Sequence, residues 1–341
     1  MLSQLVFSVT YDCPVTCKYC VTESGPHGGA CLDGAFMKEV IAETLRLSNP
    51  RVVVFTGGEP LIKKNEVLDT IKYASSKKLW TRIVTNSFWA GTPEKAVKML
   101  SELKSAGLSE INLSCDDLHQ ENIDIANVKN AFWAARNLEM PTLVAHKRVK
   151  ETKITIEYLS EYLGVKLKRF DPEKENPRFD VYSSSLTVPV GHGSKWLNHD
   201  AYILYPKSDT AWKGPCSSVL KSLIISPEQE IRMCCGMIDQ AVPELTFGVY
   251  GSKPLAEIVC EANCDLIANW LALEGPYGLM RFVAGKAPDI KFKEKYVNHC
   301  HLCNDILTRK EVRAVLNRFA QEKSDEIGLK RCLLEAIRFR E

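Results

Sequence analysis

The sequence contains no apolar run near the ~18 residues that a membrane span requires. Its start, Met1 to Thr10, alternates apolar and polar residues, with no basic flank and no small-residue cleavage site, so no secretory signal is read. It has no excess of one charge. Lys and Arg number 44 against 42 Asp and Glu, a formal net charge of +2, so no global field draws nucleic acid or an anionic membrane. Low-complexity segments and internal repeats are missing. With 45% hydrophobic and 25% charged residues, composition excludes collagen, coiled coil and disorder. A disulfide framework is missing too. The 13 cysteines are ~4% of the chain, below a disulfide scaffold, and they are odd in number and clustered. The expected compartment is the cytoplasm, where disulfides are rare. The thiols point to metal instead.

What is present is an alternating pattern across 341 residues, roughly two domains' worth of chain. Strands are expected at Leu5–Val9, Arg51–Phe55, Thr81–Thr85, Glu110–Ser114 and Thr142–Ala145. Helices are expected at Gly34–Leu47, Asn65–Lys77, Pro93–Ala106, Ile125–Leu138 and Ile154–Leu163. Either Lys166–Phe170 or Phe179–Tyr182 supplies a sixth strand. Repeated β-α units imply parallel strands with helices outside them. An α/β fold follows, and the repetition suits a full or partial (β/α) barrel. From about Ser194 the pattern changes. Ser222 to Glu230 reads as a hairpin, and residues 305–340 as charged helix with Leu307, Val312, Val315, Leu316 and Phe319 along one stripe. The expected division is 1–193 for a partial barrel, 194–310 for a small cysteine-rich domain and 311–341 for a terminal helix.

Cys13-x-x-x-Cys17-x-x-Cys20 follows the first strand, in the loop at its carboxyl end, where β/α folds gather their active sites. Three close thiolates suit an iron–sulfur cube with one iron left open. Zinc is the alternative, although a structural zinc site usually takes four protein ligands. Thr56-Gly57-Gly58-Glu59-Pro60 ends the second strand. Its glycines allow close backbone approach and its carboxylate can accept from an ammonium.

Together these segments resemble the radical S-adenosylmethionine (radical SAM) enzymes. The resemblance implies a partial (β/α)6 barrel and a [4Fe–4S] cluster on Cys13, Cys17 and Cys20. It places Tyr19 near the adenine, and Gly57, Gly58 and Glu59 at the methionine amino group. Asn86, Ser87 and Ser114 are implied near SAM, Ser114 at the ribose. The implied chemistry is one-electron cleavage of SAM to a 5′-deoxyadenosyl radical that takes a hydrogen atom from a C–H bond. A glycine-rich motif at the fifth strand is missing. Lys147 and Arg148 are candidates for the SAM carboxylate, and solvated bases are the plainer reading.

A second cysteine set follows. Cys300-x-x-Cys303 can grip one metal centre, with Cys216 and Cys234 on either side of the hairpin. The layout resembles the twitch domain, a short SPASM domain, and implies an auxiliary [4Fe–4S] cluster on Cys216, Cys234, Cys300 and Cys303. A zinc ribbon is the alternative. Cys260 and Cys264, spaced i, i+4, are either ligands or buried small hydrophobes. Cys31, Cys115 and Cys332 are expected to be structural or incidental.

The whole is similar to the epipeptide peptide epimerases, through Phe55 to Glu59, Asn86-Ser87-Phe88-Trp89, Ser114/Asp116/His119, the Cys234-Cys235 pair and the late Cys-x-x-Cys. That similarity implies L-to-D inversion of a ribosomally made precursor peptide, with Cys235 returning the hydrogen atom. It departs at the hairpin, where Ser222 stands near the position of an acidic residue. Asp116 and His119 are candidates to bind substrate or move protons. An electron donor such as flavodoxin or ferredoxin is implied. Many such enzymes begin with a winged peptide-binding domain, which is not expected before a cysteine motif at residue 13. The rivals are thioether or C–C crosslinking of a peptide, dehydrogenation of a small molecule, and an iron–sulfur electron carrier.

Overall fold

The computed structural model describes residues 2–171, 178–209, 213–234 and 242–338, with side chains described to residue 333. The chain divides into two units. The first is Met1–Ile203 with Ile225–Gln229, and the second is Leu204–Ile224 with Glu230–Glu341. No helix among the described residues is long and apolar enough to cross a membrane.

In the first unit the order is β1 (Gln4–Thr10), α1 (Gly34–Leu47), β2 (Val52–Gly57), α2 (Lys64–Ser76), β3 (Trp80–Thr85), α3 (Pro93–Ala106), β4 (Glu110–Ser114), a one-turn α4 (Asp117–Gln120), α5 (Ile125–Asn137), β5 (Thr142–Arg148), α6 (Ile156–Leu163), β6 (Lys168–Arg169), β7 (Val181–Leu186) and α7 (His192–Trp196). β1 to β5 pair in parallel in sequence order. Both candidate sixth strands form. β7 pairs with β5 over six positions, and β6 adds outside β7 at the sheet edge. The longer, half-buried segment takes the inner place, and the short Lys168–Arg169 pair, exposed on both residues, takes the edge. The sheet is an open, partial barrel.

Strand alternation explains where the core sits. Leu5, Phe7, Val9, Val53, Phe55, Ile83, Ile111, Leu113 and Val144 face the helices and are buried, with Phe7 and Phe55 stacked at 6.0 Å. The opposite face is lined by Val6, Val84, Asn112 and Ala145, all half-buried. Helix boundaries follow local chemistry. Asp33 and Thr92 accept from the Phe36 and Lys95 amides, Pro93 opens α3, and Gly107 at φ 99° closes it.

The second unit holds β8 (Tyr205–Pro206), β9 (Ser222–Ile225), β10 (Glu230–Arg232), β11 (Thr246–Val249), α8 (Leu255–Cys264), α9 (Leu266–Lys286), β12 (Lys295–Tyr296), α10 (His299–Thr308), α11 (Lys310–Arg318) and α12 (Ala320–Arg338). β9 and β10 form the expected hairpin, and β11 pairs antiparallel with β10. The terminal segment, expected as one helix, is two, because Phe319 leaves helical backbone values at φ −108°, ψ 16°. Leu307, Val312 and Leu316 of the predicted stripe are buried. α9 bends at Gly275 (φ 66°, ψ −179°), just before Pro276.

Candidate active site

The loop after β1 carries the three cysteines, and the first unit is built around holding it. Cys13 and Cys17 are buried and Cys20 half-buried. Burial pushes the Cys13 thiol up to about 12, and the neighbouring Glu59 carboxylate and Cys20 thiol add to the rise. Cys17 is raised further, again by burial first and then by Cys20 and Cys13. The three thiols therefore feel one another, and none of the causes of these shifts is a protein cation. Such a set is suited to bind a cationic metal group as thiolates. Among the described residues no three His, Cys, Asp or Glu side chains are gathered so as to hold a single metal ion.

The Gly-Gly-Glu segment is laced to the chain just before Cys13. The Gly58 amide donates to Thr10 O at 2.7 Å, and the Glu59 amide to Asp12 O at 3.0 Å. A Cβ on Gly57 would lie 2.3 Å from Thr10 O, and one on Gly58 2.3 Å from Asp12 O. Both glycines are thus already required by protein packing, before any ligand is considered.

Glu59 is fully buried. It accepts from the Thr85 hydroxyl (3.0 Å to each oxygen), the Asn86 amide (2.9 Å) and the Leu61 amide (3.1 Å). Three donors on a carboxylate with about four acceptor positions leave room for one more. Burial pushes its pKa up to about 7 against those hydrogen bonds. A cation at the remaining position would restore the charged form.

Asn86 and Ser87 follow β3. The Asn86 side-chain amide lies 3.5 Å from Cys13 Sγ, and its oxygen accepts from the Phe88 amide at 2.9 Å. Ser87 is fully buried at φ 67°, and its Oγ has no hydrogen-bond partner among the described residues. A strained residue with an orphaned buried hydroxyl fits a site that receives a polar ligand. Ser114 ends β4 and is buried.

Tyr19, Asp116 and His119 form one network. Tyr19 is buried, and its hydroxyl lies 2.8 Å from His119 Nδ1 and 3.4 Å from Asp116 Oδ2. Asp116 caps α4 by accepting from the Leu118 and His119 amides, both at 3.1 Å, and it also takes His119 Nδ1 at 2.9 Å. Burial alone would raise Asp116, but the His119 charge and hydrogen bonds hold it below the usual range. The geometry makes this carboxylate a brace between the cysteine loop and the end of β4.

A second brace went unnoticed in the sequence. The His192 amide donates to Cys20 O at 2.9 Å, and its Nδ1 lies 3.1 Å from Cys17 O. A Cβ on Gly191, at φ 54°, would lie 2.4 Å from Cys20 O. Its signal in the sequence is the Gly191-His192-Gly193 run, which lies after β7 and not at the fifth strand.

In the second unit the four proposed ligands come from three separate segments. The Cys216 amide donates to Leu271 O at 2.9 Å, and Gly214 O packs into the bend of α9, where a Cβ on Gly275 would lie 2.1 Å away. Cys234, just after β10, is buried. Cys300 and Cys303 stand one turn apart at the start of α10, whose cap Asn298 accepts from the His301 amide. Cys260 and Cys264 are exposed on α8, which corrects their reading as buried hydrophobes. The outward face of that helix carries them. Cys115 is buried, Cys31 and Cys332 are exposed, and Cys235 lies outside the described residues.

Residues 7–163 match the Radical SAM superfamily. YydG of Bacillus subtilis (strain 168), a protein named for peptide biosynthesis, is 20% identical over 162 residues, 46% of this chain and 51% of that one. A PqqA peptide cyclase of Xanthomonas oryzae pv. oryzae (strain MAFF 311018) is 27% identical over 138 residues, 39% of this chain and 34% of that one. The chain thus aligns with about half or less of the length of these curated relatives. The solved structure of native anSMEcpe with bound AdoMet covers 96% of this chain and 100% of its own, at a TM-score of 0.50 and 14% identity, a likeness of fold.

Proposed function

With residues 7–163 a radical SAM domain, which takes a [4Fe–4S] cluster and SAM, we propose that this chain modifies a ribosomally made peptide by abstracting a hydrogen atom from it. The observation that carries the reading is the cysteine loop joined to the Gly-Gly-Glu segment at adjacent strand ends, in a chain whose matched relatives include proteins named for peptides. When bound, the cluster and SAM supply a one-electron route to hydrogen abstraction. The chain's own residues do the rest. Cys13, Cys17 and Cys20 hold the cluster. Glu59 takes the SAM ammonium at its one open acceptor position. Ser87 Oγ supplies a buried polar contact after β3, and Ser114 stands buried at the end of the neighbouring β4. Tyr19, Asp116, His119 and the Gly191–His192 pair keep the loop from shifting. A flavodoxin or ferredoxin delivers the electron.

The favoured outcome is L-to-D epimerisation, in which Cys235 returns a hydrogen atom to the peptide α-carbon. The Cys234-Cys235 pair supports it. Crosslinking is the second reading, favoured by the similarity to a peptide cyclase. There, Cys216, Cys234, Cys300 and Cys303 would hold an auxiliary cluster, which would supply an acceptor for the electron that the substrate loses. Turnover in deuterated water separates the two. Epimerisation leaves one deuterium at an α-carbon and is lost in Cys235→Ala. A product lighter by two hydrogens, formed equally by Cys235→Ala, rejects epimerisation in favour of crosslinking. A peptide recovered unchanged beside every candidate precursor sinks both.

A further inference from the structure

A cavity of about 420 Å³ lies where β5 and β7 end and α6 begins. It is on the helix-facing side of the sheet, away from the half-buried inner face. Register shows this: His146 pairs with Ser184 and Val144 with Tyr182, and Val144 belongs to the helix-facing core. Arg148, two residues past His146, shares that face. It therefore lines this cavity, and the Arg148 alternative for the SAM carboxylate is set aside.

The charges around the cavity are unbalanced. Arg148, Lys150 and Arg169 all line it. None of the three is in an ion pair with any described residue. His146 is buried and already engaged, at 2.8 Å from Ile154 O through Nε2 and 3.1 Å from the Ser184 hydroxyl through Nδ1. Glu157 is the carboxylate in the lining. It sits in the first turn of α6 and is engaged there with Thr155. The amino end of α6, an eight-residue helix, adds its own partial positive charge.

Among the described residues, the cavity also borders an open sheet edge. Lys168 and Phe170 donate their amides to Asp180 O (2.7 Å) and Tyr182 O (2.8 Å) of the β7 side. Backbone alternation then turns the Arg169 amide and carbonyl to the free edge. A small anion has no use for such an edge. An extended peptide does, because it can add as a strand and place alternate side chains into the cavity.

We propose that this cavity and the β6 edge bind an acidic peptide segment, whose carboxylates are received by Arg148, Lys150 and Arg169. The proposal rests on the reading that the substrate is a peptide, and it adds a recognition site apart from the cysteine loop. Charge-assisted hydrogen bonds to arginine supply the affinity, and the strand edge supplies the requirement for an extended chain.

The test titrates fluorescein-labelled hexaglutamate into the reconstituted full chain, with hexaglutamine as control and inorganic phosphate as competitor. Saturable binding that weakens with added salt is expected, with no binding of hexaglutamine. Arg148→Glu/Arg169→Glu should weaken it roughly tenfold or more. The single Lys150→Glu, at an exposed position, should weaken it by a smaller factor while keeping the wild-type circular dichroism and melting profile. Failure of hexaglutamate to bind, or equal binding by the variants, would overturn the proposal. So would phosphate binding with the same variant dependence in the absence of hexaglutamate binding. A modified peptide product from a chain that does not bind hexaglutamate rejects the cavity and leaves the peptide reading standing. Variant-sensitive hexaglutamate binding without any peptide product upholds the cavity and rejects that reading.

Discussion

The cysteines of the two units are held in different ways. In the first unit, Cys13, Cys17 and Cys20 lie within eight residues, and neighbouring strand ends converge on them. In the second, Cys216, Cys234 and the Cys300/Cys303 pair come from three distant segments. One is pinned to a bend in α9, one follows β10 and two ride on α10. A compact motif needs only a short loop and one brace on each side. A dispersed set needs the whole unit folded before its members can meet, because closing long loops carries an entropic cost.

The largest expected effect falls on the compact set. The Cys13/Cys17/Cys20→Ala triple variant should make no 5′-deoxyadenosine. Production at the wild-type rate would end the comparison by removing the site itself. Next is iron content. Anaerobic reconstitution should give about eight irons per chain, four for each cube, and Cys300→Ala about four. If Cys300→Ala holds as much iron as wild type, the second set is not a ligand set.

Gly275→Ala probes how far the dispersed set depends on tertiary structure. The added Cβ would meet Gly214 O at 2.1 Å in a backbone conformation with positive φ. A loss of about 2 kcal/mol or more is expected, read by thermal melting, with iron falling toward four per chain. Unchanged iron would show that the α9 bend does not position Cys216.

The smallest effect is a pH dependence in the compact site. Burial raises Glu59 from an ordinary 4.5 to about 7. Between these values the folded chain holds a proton that the unfolded chain has lost. This contribution to stability is full below pH 4.5 and is lost as pH rises through 7. A bound ammonium favours the ionised form, so SAM binding should tighten as pH climbs through 7. Equilibrium binding on either side of pH 7 reads this, and Glu59→Gln should flatten the slope. A slope unchanged in that variant would place the ammonium elsewhere.

Much of the site was legible beforehand because its parts are short and contiguous. The helix Pro93–Ala106 was readable to the residue, since Thr92, Pro93 and Gly107 punctuate it locally. The Gly-Gly-Glu segment was recognisable, but the physical reason for its glycines was not. They are required by Thr10 O and Asp12 O, and that contact exists only once β2 lies beside β1. The exposure of Cys260 and Cys264 was not legible, because helical spacing gives a shared face without saying which way the face turns.

The sequence by itself determined the alternation of strands and helices, the cysteine loop after β1 and the radical SAM resemblance, because periodicity, capping and contiguous motifs are local. Only the tertiary structure decided that β7 lies inside β6, since both segments are competent strands and only the length and burial of the pairing separate them. It also decided that Gly191 and His192, more than 170 residues past Cys17 and Cys20, hold that loop. And it decided that Asp116 is a brace and that Arg148 opens on an outer cavity. Each of these depends on which distant segments pack together, and no local pattern encodes that.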